Sequence, residues 1–179
     1  DAWRLKLRAI DAARLTPDEH VDHRILGGIL DGWLLDLRQV RTWQRNPVVY
    51  VSAVSDGVHN LMVMESAPAD RRARQVLSKL DRLPALLAAA RANITNPPPL
   101  FVTRGASAAR GAAVMLRQDL PLAFASLKDA ALRNDLALAG RHAADLLDAY
   151  ADYLEKERLP RAKGTFVIEV QREWSPNGA

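Results

Sequence analysis

The residues of this sequence most able to bind a metal ion are Glu19, His20 and His23, which fall within five positions. In the motif His-Glu-x-x-His, two histidines four residues apart share one face of a helix, and a third protein ligand completes the zinc site. Here the histidines are three residues apart and the glutamate precedes both. Glu19 also fits a capping box with Thr16, which predicts a helix start. We therefore interpret the cluster as a polar helix start, with a metal site as the weaker alternative.

Two other patterns could indicate catalysis. Residues 105–109 (Gly-Ala-Ser-Ala-Ala) are an incomplete copy of the nucleophile elbow Gly-x-Ser-x-Gly, which requires a strand before the serine. Because the preceding segment is rich in proline, we interpret Ser107 as a helix-start residue. Asp145, Asp148 and Asp152 could pair for acid–base work, but they lie opposite the apolar stripe of their predicted helix and are expected to be exposed to solvent. No catalytic, metal-binding or cofactor-binding residue is assigned.

The charge of the chain is modest. It contains 25 Lys and Arg against 21 Asp and Glu, a net charge of +4. Arg71, Arg72 and Arg74 form the densest basic cluster, whereas electrostatic binding of nucleic acid usually needs a longer basic stripe. We interpret the cluster as a solvated helix face and expect no nucleic-acid partner. Binding through this face is the weakest alternative.

Trp33, Trp43 and Tyr50 are large aromatic residues in the first half of the chain. Side chains of this size usually pack in a core, so we predict that they are buried, with the wall of a binding cleft as the alternative. The absence of cysteine excludes disulfides and thiol nucleophiles, and it is compatible with a cytoplasmic or a periplasmic protein. No apolar run approaches the roughly 18 residues that a spanning helix needs, so no membrane partner is expected.

The elements that must position these residues are helices. The chain of 179 residues contains 30 Ala and 26 Leu, and aromatic residues make up only 6%. Ala and Leu lose little entropy on entering a helix, and a chain of this length fits one domain. We predict an all-α array of six to eight helices that forms a single domain over residues 1–179, with a loose tail over residues 171–179.

Capping residues and prolines predict where these helices begin and end. The segment Thr16-Pro17-Asp18-Glu19 starts a helix that continues to Val40, and the glycines at positions 27, 28 and 32 indicate either a close helix crossing or a kink. A short amphipathic segment over residues 1–15 precedes this helix. Further helices are predicted over residues 48–64, 68–90 (with a kink or split at Pro84), 101 or 103 to 118, 121–133 and 136–158. A proline-rich connector over residues 93–99 and one short strand over residues 165–170 complete the prediction.

Several segments, taken in order and spacing, resemble a family of bacterial proteins known as domain of unknown function 885. The most specific segment is Leu-Pro-Ala-Leu-Leu at residues 83–87, which runs into residues 90–98. The other matching segments are residues 15–19 with Asp22-His23 and Ile25-Leu26, Arg41 and Trp43 before Asn46-Pro47 and Tyr50, and residues 159–162 before Gly164 and Phe166. The resemblance runs from about Asp11 to Ile168 and is to the N-terminal part of that family.

The resemblance implies a longer, mainly helical protein that is similar in architecture to zinc metallopeptidases, with a catalytic motif His-Glu-x-x-Pro-Gly-His far downstream. In that chemistry zinc activates a water molecule and the glutamate acts as base. This chain contains no such motif, so zinc is expected only in the downstream part. We expect a helical scaffold or cleft wall that is inactive alone, with the catalytic half of the same protein as its partner. The alternative is a stand-alone interaction module that self-associates through an apolar face.

Overall fold

The computed structural model describes residues 1–165. These residues form eight α-helices and contain no β-strand, as predicted for an all-α fold. Within this range the chain divides into two compact units: unit 1 comprises residues 1–42, and unit 2 begins at Trp43. The single domain over residues 1–179 stays a prediction. The loose tail over residues 171–179 and the strand over residues 165–170 lie outside the described residues, apart from Thr165, which is not in a strand.

Unit 1 is built from two helices. These are α1 (Ala2–Arg8) and α2 (Pro17–Leu35), which is preceded by a short 3-10 helix over Ala12–Arg14 and continues as a π-helical turn over Asp36–Val40. The predicted capping box starts α2. The Thr16 hydroxyl accepts the Glu19 N–H at 3.4 Å, and the Glu19 carboxylate accepts the Thr16 N–H at 2.8 Å. Both groups would otherwise lack an intrahelical partner.

Polar contacts and one glycine hold α1 against α2. Arg4 donates hydrogen bonds to both carboxylate oxygens of Asp31, at 2.6 and 2.8 Å. His23 Nε2 lies 3.0 Å from the carbonyl oxygen of Leu7. Gly27 is buried at this crossing, where a Cβ atom would lie 3.7 Å from Arg4 Nη1. Gly27 is therefore the one of the three glycines of α2 that lies at a helix crossing, and a side chain there would meet only ordinary van der Waals contacts.

The same interpretation does not extend to the other two glycines of α2. A Cβ atom at Gly28 or Gly32 would have no neighbour within 4 Å.

After the π-helical turn, Arg41 ends the helix in the left-handed conformation with φ of 51°. Its N–H donates to the Asp36 carbonyl oxygen at 2.6 Å, which satisfies one of the last carbonyl groups.

Unit 2 is a helical bundle around one apolar core. After the single turn α3 (Thr42–Arg45), the chain forms α4 (Val48–Val63), α5 (Ala69–Leu80), α6 (Leu83–Asn93), α7 (Pro99–Ala123) and α8 (Ala130–Tyr153). A π-helical turn over Leu154–Arg158 and a 3-10 turn over Leu159–Arg161 extend α8. Helices α7 and α8 form the central antiparallel pair, against which α4, α5 and α6 pack. The predicted split near Pro84 and the non-helical connector before Pro99 are both present.

Small residues let α7 and α8 approach closely. Both helices carry buried alanines, which are Ala106, Ala109, Ala112 and Ala113 on α7 and Ala143, Ala144 and Ala151 on α8. At Gly140 the approach is tightest, because a Cβ atom there would lie 3.0 Å from the Leu116 carbonyl oxygen and 3.0 Å from Leu120 Cδ2. The backbones therefore meet with little side chain between them.

The predicted helix start at Pro121 is wrong. Pro121 lies in the last turn of α7, and the next helix begins at Ala130, where the Asp129 carboxylate accepts the Leu132 N–H at 3.0 Å. A proline so near a helix end removes a single backbone hydrogen bond. Burial of Leu120 in the core offsets that loss and keeps the last turn helical.

Two glycines of α7 give a matched test of the packing. A Cβ atom at Gly105 would lie 2.7 Å from Pro47 Cβ and 3.2 Å from Leu154 Cδ1, whereas one at Gly111 would meet nothing within 4 Å. We expect Gly105→Ala to lower the free energy of unfolding by about 1–3 kcal/mol through overpacking. Gly111→Ala should raise it by up to about 1 kcal/mol, because alanine favours the helix. Chemical denaturation measures both, and equal effects of one sign would contradict the described interface.

Candidate functional site

Ser107 is not placed for nucleophilic catalysis. It is an exposed residue within α7, eight residues after the helix begins at Pro99. The prediction that it lies at a helix start is wrong, because α7 begins earlier, at the last proline of the connector. The segment before Ser107 is helical, whereas a nucleophile elbow requires a strand there.

The aspartates of α8 are engaged in ion pairs with arginines of α7. Arg117 contacts one oxygen each of Asp145 and Asp148 at 2.6 Å, and Arg110 contacts Asp152 at 2.8 Å. The expectation of full solvent exposure holds best for Asp145, whose side chain is 71% exposed, against 34% for Asp148. These pairs join two helices that lie apart in the sequence, and no local sequence pattern predicts them.

In the ion pairs around Arg110, the pKa values of Arg110 and Asp152 are shifted in favour of the charged forms. Hydrogen bonds from Lys156 and then Arg110 hold the pKa of Asp152 below its usual value. Hydrogen bonds to Glu155 and Asp152 raise the pKa of the Arg110 guanidinium above its usual value. Carboxylates held ionised in this way do not supply protons near neutral pH. The ion pairs between α7 and α8 therefore hold two helices together on a solvated surface.

Arg72 contradicts the interpretation of the basic cluster as a solvated face. Its side chain is buried, and Nη1 and Nε donate to the carbonyl oxygens of Leu61 at 2.7 Å and Ala67 at 3.0 Å. These carbonyls lie in the last turn of α4 and in the loop after it. The guanidinium therefore supplies a hydrogen-bond donor to acceptors that the helix itself does not satisfy. Arg71 and Arg74 remain exposed. The three arginines do not form one basic surface.

The metal-like cluster near the start of α2 does not come together as a site. Hydrogen bonds from the backbone and side chain of Thr16 lower the pKa of Glu19 and occupy its carboxylate. His23 Nε2 faces the Leu7 carbonyl oxygen. No group of three His, Asp or Glu side chains that could hold a metal ion occurs among residues 1–165. The donors of this part of the chain do not fit zinc, which requires three protein ligands even at a catalytic site.

One end of unit 2 joins three segments of the chain, and we call it the motif junction. The Tyr50 hydroxyl donates to the Trp43 carbonyl oxygen at 2.8 Å and accepts from Asn93 Nδ2 at 3.0 Å. The Thr95 N–H donates to the Gln44 carbonyl oxygen at 3.2 Å. The junction thus connects the start of α4 to the end of α6.

The third segment of the motif junction is the chain after α8. The Gly164 N–H donates to the Pro97 carbonyl oxygen at 3.2 Å, and Arg45 donates to the Thr165 carbonyl oxygen. A side chain at position 164 would overlap the backbone of Asn96 and Pro97, so glycine is required by close approach. Most of these hydrogen bonds involve backbone groups, which indicates that the motif junction has a structural role and holds the three segments together.

Two tyrosines of α8 pack against Arg91 near the end of α6. The Arg91 guanidinium lies 4.1 Å from the ring centroid of Tyr153 and 5.7 Å from that of Tyr150, distances typical of cation–π contacts. Tyr150 is fully buried, and burial raises the pKa of its phenol. Its hydroxyl has no hydrogen-bond partner within the described residues. Tyr50 is buried as predicted, and Trp43 is half-buried against the core.

Trp33 is the exception among the predicted core aromatics. Its side chain is 64% exposed, so the prediction of burial is wrong. It lines an apolar groove of about 450 Å³ between the two helices of unit 1. The alternative interpretation, the wall of a cleft, describes its position. The apolar residues that form the groove walls are Trp3, Leu7 and Ile10 on the side of α1 and Leu26, Ile29, Leu30 and Trp33 on α2.

None of the helices within residues 1–165 has both the length and the apolar character needed to cross a bilayer.

Comparison with known proteins finds one family whose model matches the whole chain. The family model "Bacterial protein of unknown function (DUF885)" matches residues 1–179. The fold is similar to the solved structure of "a putative lipoprotein of unknown function from Shewanella oneidensis", with a TM-score of 0.78 and 24% sequence identity. The match covers 89% of this chain and 29% of that one, so the chain spans less than a third of the other protein. No curated protein matches the sequence.

The buried arginine yields one prediction. Arg72→Met should lower the free energy of unfolding by about 1.5–3 kcal/mol, because the carbonyl groups of Leu61 and Ala67 lose a charged donor. The matched variant Arg71→Met alters an exposed arginine of the same helix and should change stability by less than about 0.5 kcal/mol. Urea denaturation of both variants measures the difference, and similar values would show that Arg72 is not the capping group.

The motif junction yields a second prediction. Tyr50→Phe removes the hydroxyl that joins Trp43 to Asn93, and it should lower the free energy of unfolding by about 1–2 kcal/mol. Tyr153→Phe keeps the ring beneath Arg91 and is the control, with an expected change below about 0.5 kcal/mol. Thermal unfolding followed by circular dichroism measures both. An unchanged Tyr50→Phe variant would mean that the hydroxyl bonds contribute nothing to the junction.

Proposed function

The chain belongs to the bacterial protein family of unknown function DUF885, and we propose on that basis that it forms the N-terminal helical scaffold of a longer protein. The observation that carries the proposal is the difference in length between this chain and a structurally similar one, which we call the length relation. The match covers 89% of this chain but 29% of the solved chain from Shewanella oneidensis. A structural part of a larger fold would show this relation.

The polar side chains of the described residues support the same role. The carboxylates of α8 are bound by Arg110 and Arg117, Glu19 is bound by Thr16, and Arg72 is bound by backbone carbonyls. Each of these groups stabilises a helix end or a helix pair. Side chains committed to internal contacts suit a scaffold better than a reactive centre.

Zinc-dependent peptidase chemistry, which the family resemblance implies, belongs in this proposal to a part of the protein other than residues 1–165. A catalytic zinc site needs three protein ligands around an open position. The donor groups near Glu19 and His23 are occupied by helix-capping and backbone contacts. The scaffold would therefore wall a cleft whose metal and base come from the rest of the longer chain.

A stand-alone interaction module is the second candidate function. The observation that favours it is the apolar groove of unit 1, where Trp3 and Trp33 are 70% and 64% exposed. An exposed apolar patch of this kind is typical of an interaction site. Under this alternative, light scattering would find dimers or larger species whose fraction rises with protein concentration.

The scaffold proposal predicts where zinc and activity reside. The purified chain, dialysed against zinc and then buffer, should retain less than about 0.1 zinc ion per molecule and hydrolyse no fluorogenic peptide. The product of the complete reading frame should retain about one zinc ion. A His20→Ala, His23→Ala double variant controls for adventitious binding by surface histidines.

Two outcomes would contradict this proposal. One is a chelator-resistant zinc ion held by the chain alone at about one per molecule. The other is a reading frame that ends with this chain, which would favour the interaction module.

A further inference from the structure

We propose that the groove between α1 and α2 of unit 1 docks the apolar face of a helix from the remainder of the longer protein. This inference rests on the proposed scaffold function and names the surface through which the scaffold meets its partner.

The groove is apolar along its length. The walls are formed by seven apolar side chains, and Lys6 also lines the groove, with its Nζ 4.5 Å from the centroid of the Trp3 ring. Leu26, Ile29 and Trp33 are 50%, 43% and 64% exposed. A continuous set of large, half-exposed apolar side chains is uncommon on a surface that faces only water.

The apolar surface of α2 is wider than α1 can cover. Helix α1 contacts α2 along the side that carries His23, Gly27 and Asp31. Leu26, Ile29 and Trp33 are spaced three and four residues apart, so they form a neighbouring face of the same helix. That face has the residue types of a helix interface without a covering helix among residues 1–42.

A helix fits this groove better than an isolated side chain does. The three α2 residues extend over two turns, which suits an apolar stripe at positions i, i+3 or i+4, and i+7 of a docked helix. The Lys6 ammonium beside the Trp3 ring favours a carboxylate on the edge of that helix. An amphipathic helix with acidic flanks is therefore the expected occupant.

The length relation identifies the source of this helix. The match to the Shewanella oneidensis structure leaves 71% of that chain outside the aligned part, since it covers 29%. A longer protein of this kind has ample sequence to supply a covering helix in the same molecule. A tethered helix also binds at high effective concentration, so a shallow groove suffices.

Cysteine labelling tests the inference, because the chain contains no cysteine. Leu26→Cys places a thiol in the groove. Arg24→Cys is the matched control, since Arg24 is exposed, two residues away, and nearly opposite on a helix of 3.6 residues per turn. Each variant is made in this chain and in the product of the complete reading frame, and maleimide labelling rates are measured in all four proteins. Circular dichroism confirms that each variant folds.

The proposal expects protection at one position in one protein. Leu26→Cys should react readily in this chain and about tenfold or more slowly in the longer product, whereas Arg24→Cys should react within about twofold of the same rate in both. Ile29→Cys, at a second groove position, should behave like Leu26→Cys.

Three results would overturn the docking proposal. Equal labelling of Leu26→Cys in both proteins would show that the longer protein leaves the groove open. Slow labelling in this chain alone, independent of concentration, would show that the chain itself covers it. Protection that grows with the concentration of this chain would assign the groove to a second copy. Zinc content measured on the same samples keeps failure of the docking site separate from failure of the scaffold function.

Discussion

The structure of unit 2 depends on the close approach of α7 to its neighbours. Dispersion forces fall steeply with distance, so two helices gain most when their backbones come near each other. Alanines on both helices and Gly140 on α8 permit this along the pair, and Gly105 permits the same approach to Pro47. The alanine-rich composition of the chain therefore favours helix formation, and Gly140 permits the close approach of α8 to Leu116 and Leu120 of α7.

The motif junction follows from this constraint. Because Gly105 brings Pro47 and Leu154 against α7, the start of α4 and the end of α8 lie at one end of the bundle. Non-helical segments that meet there have backbone groups that helices cannot satisfy. The Tyr50 hydroxyl and the contact between Gly164 and Pro97 satisfy part of that need. Three of the segments that carry the family resemblance, around Tyr50, Asn93 and Gly164, thus meet because the helices between them pack tightly.

The sequence predicted elements better than it predicted pairings. The capping box at Thr16, the split near Pro84 and the buried stripe from Leu136 to Leu154 rest on local signals, and the structure contains all three. The predicted helix start at Pro121 is wrong because a local signal was outweighed by tertiary packing. Leu120 is buried in the core, and α7 continues through Pro121 to Ala123. The site residues depend on contacts between distant segments. Arg72 lies in a basic run like its neighbours, and only tertiary structure shows that its guanidinium binds carbonyl groups.

Trp33 is a second residue whose surroundings could not be predicted from local sequence, and here the predicted burial is absent. Its spacing with Ile25 and Ile29 is that of a core-facing stripe, and such a stripe predicts burial whatever the covering element is. Within residues 1–42 the only buried large apolar side chain is Leu7, because α1 is two turns long and covers one side of α2. A unit this small buries too little apolar surface to offset the entropy of ordering its backbone. The stripe on α2 therefore has the residue types of one half of a helix interface, and the docking proposal assigns the other half to the longer protein.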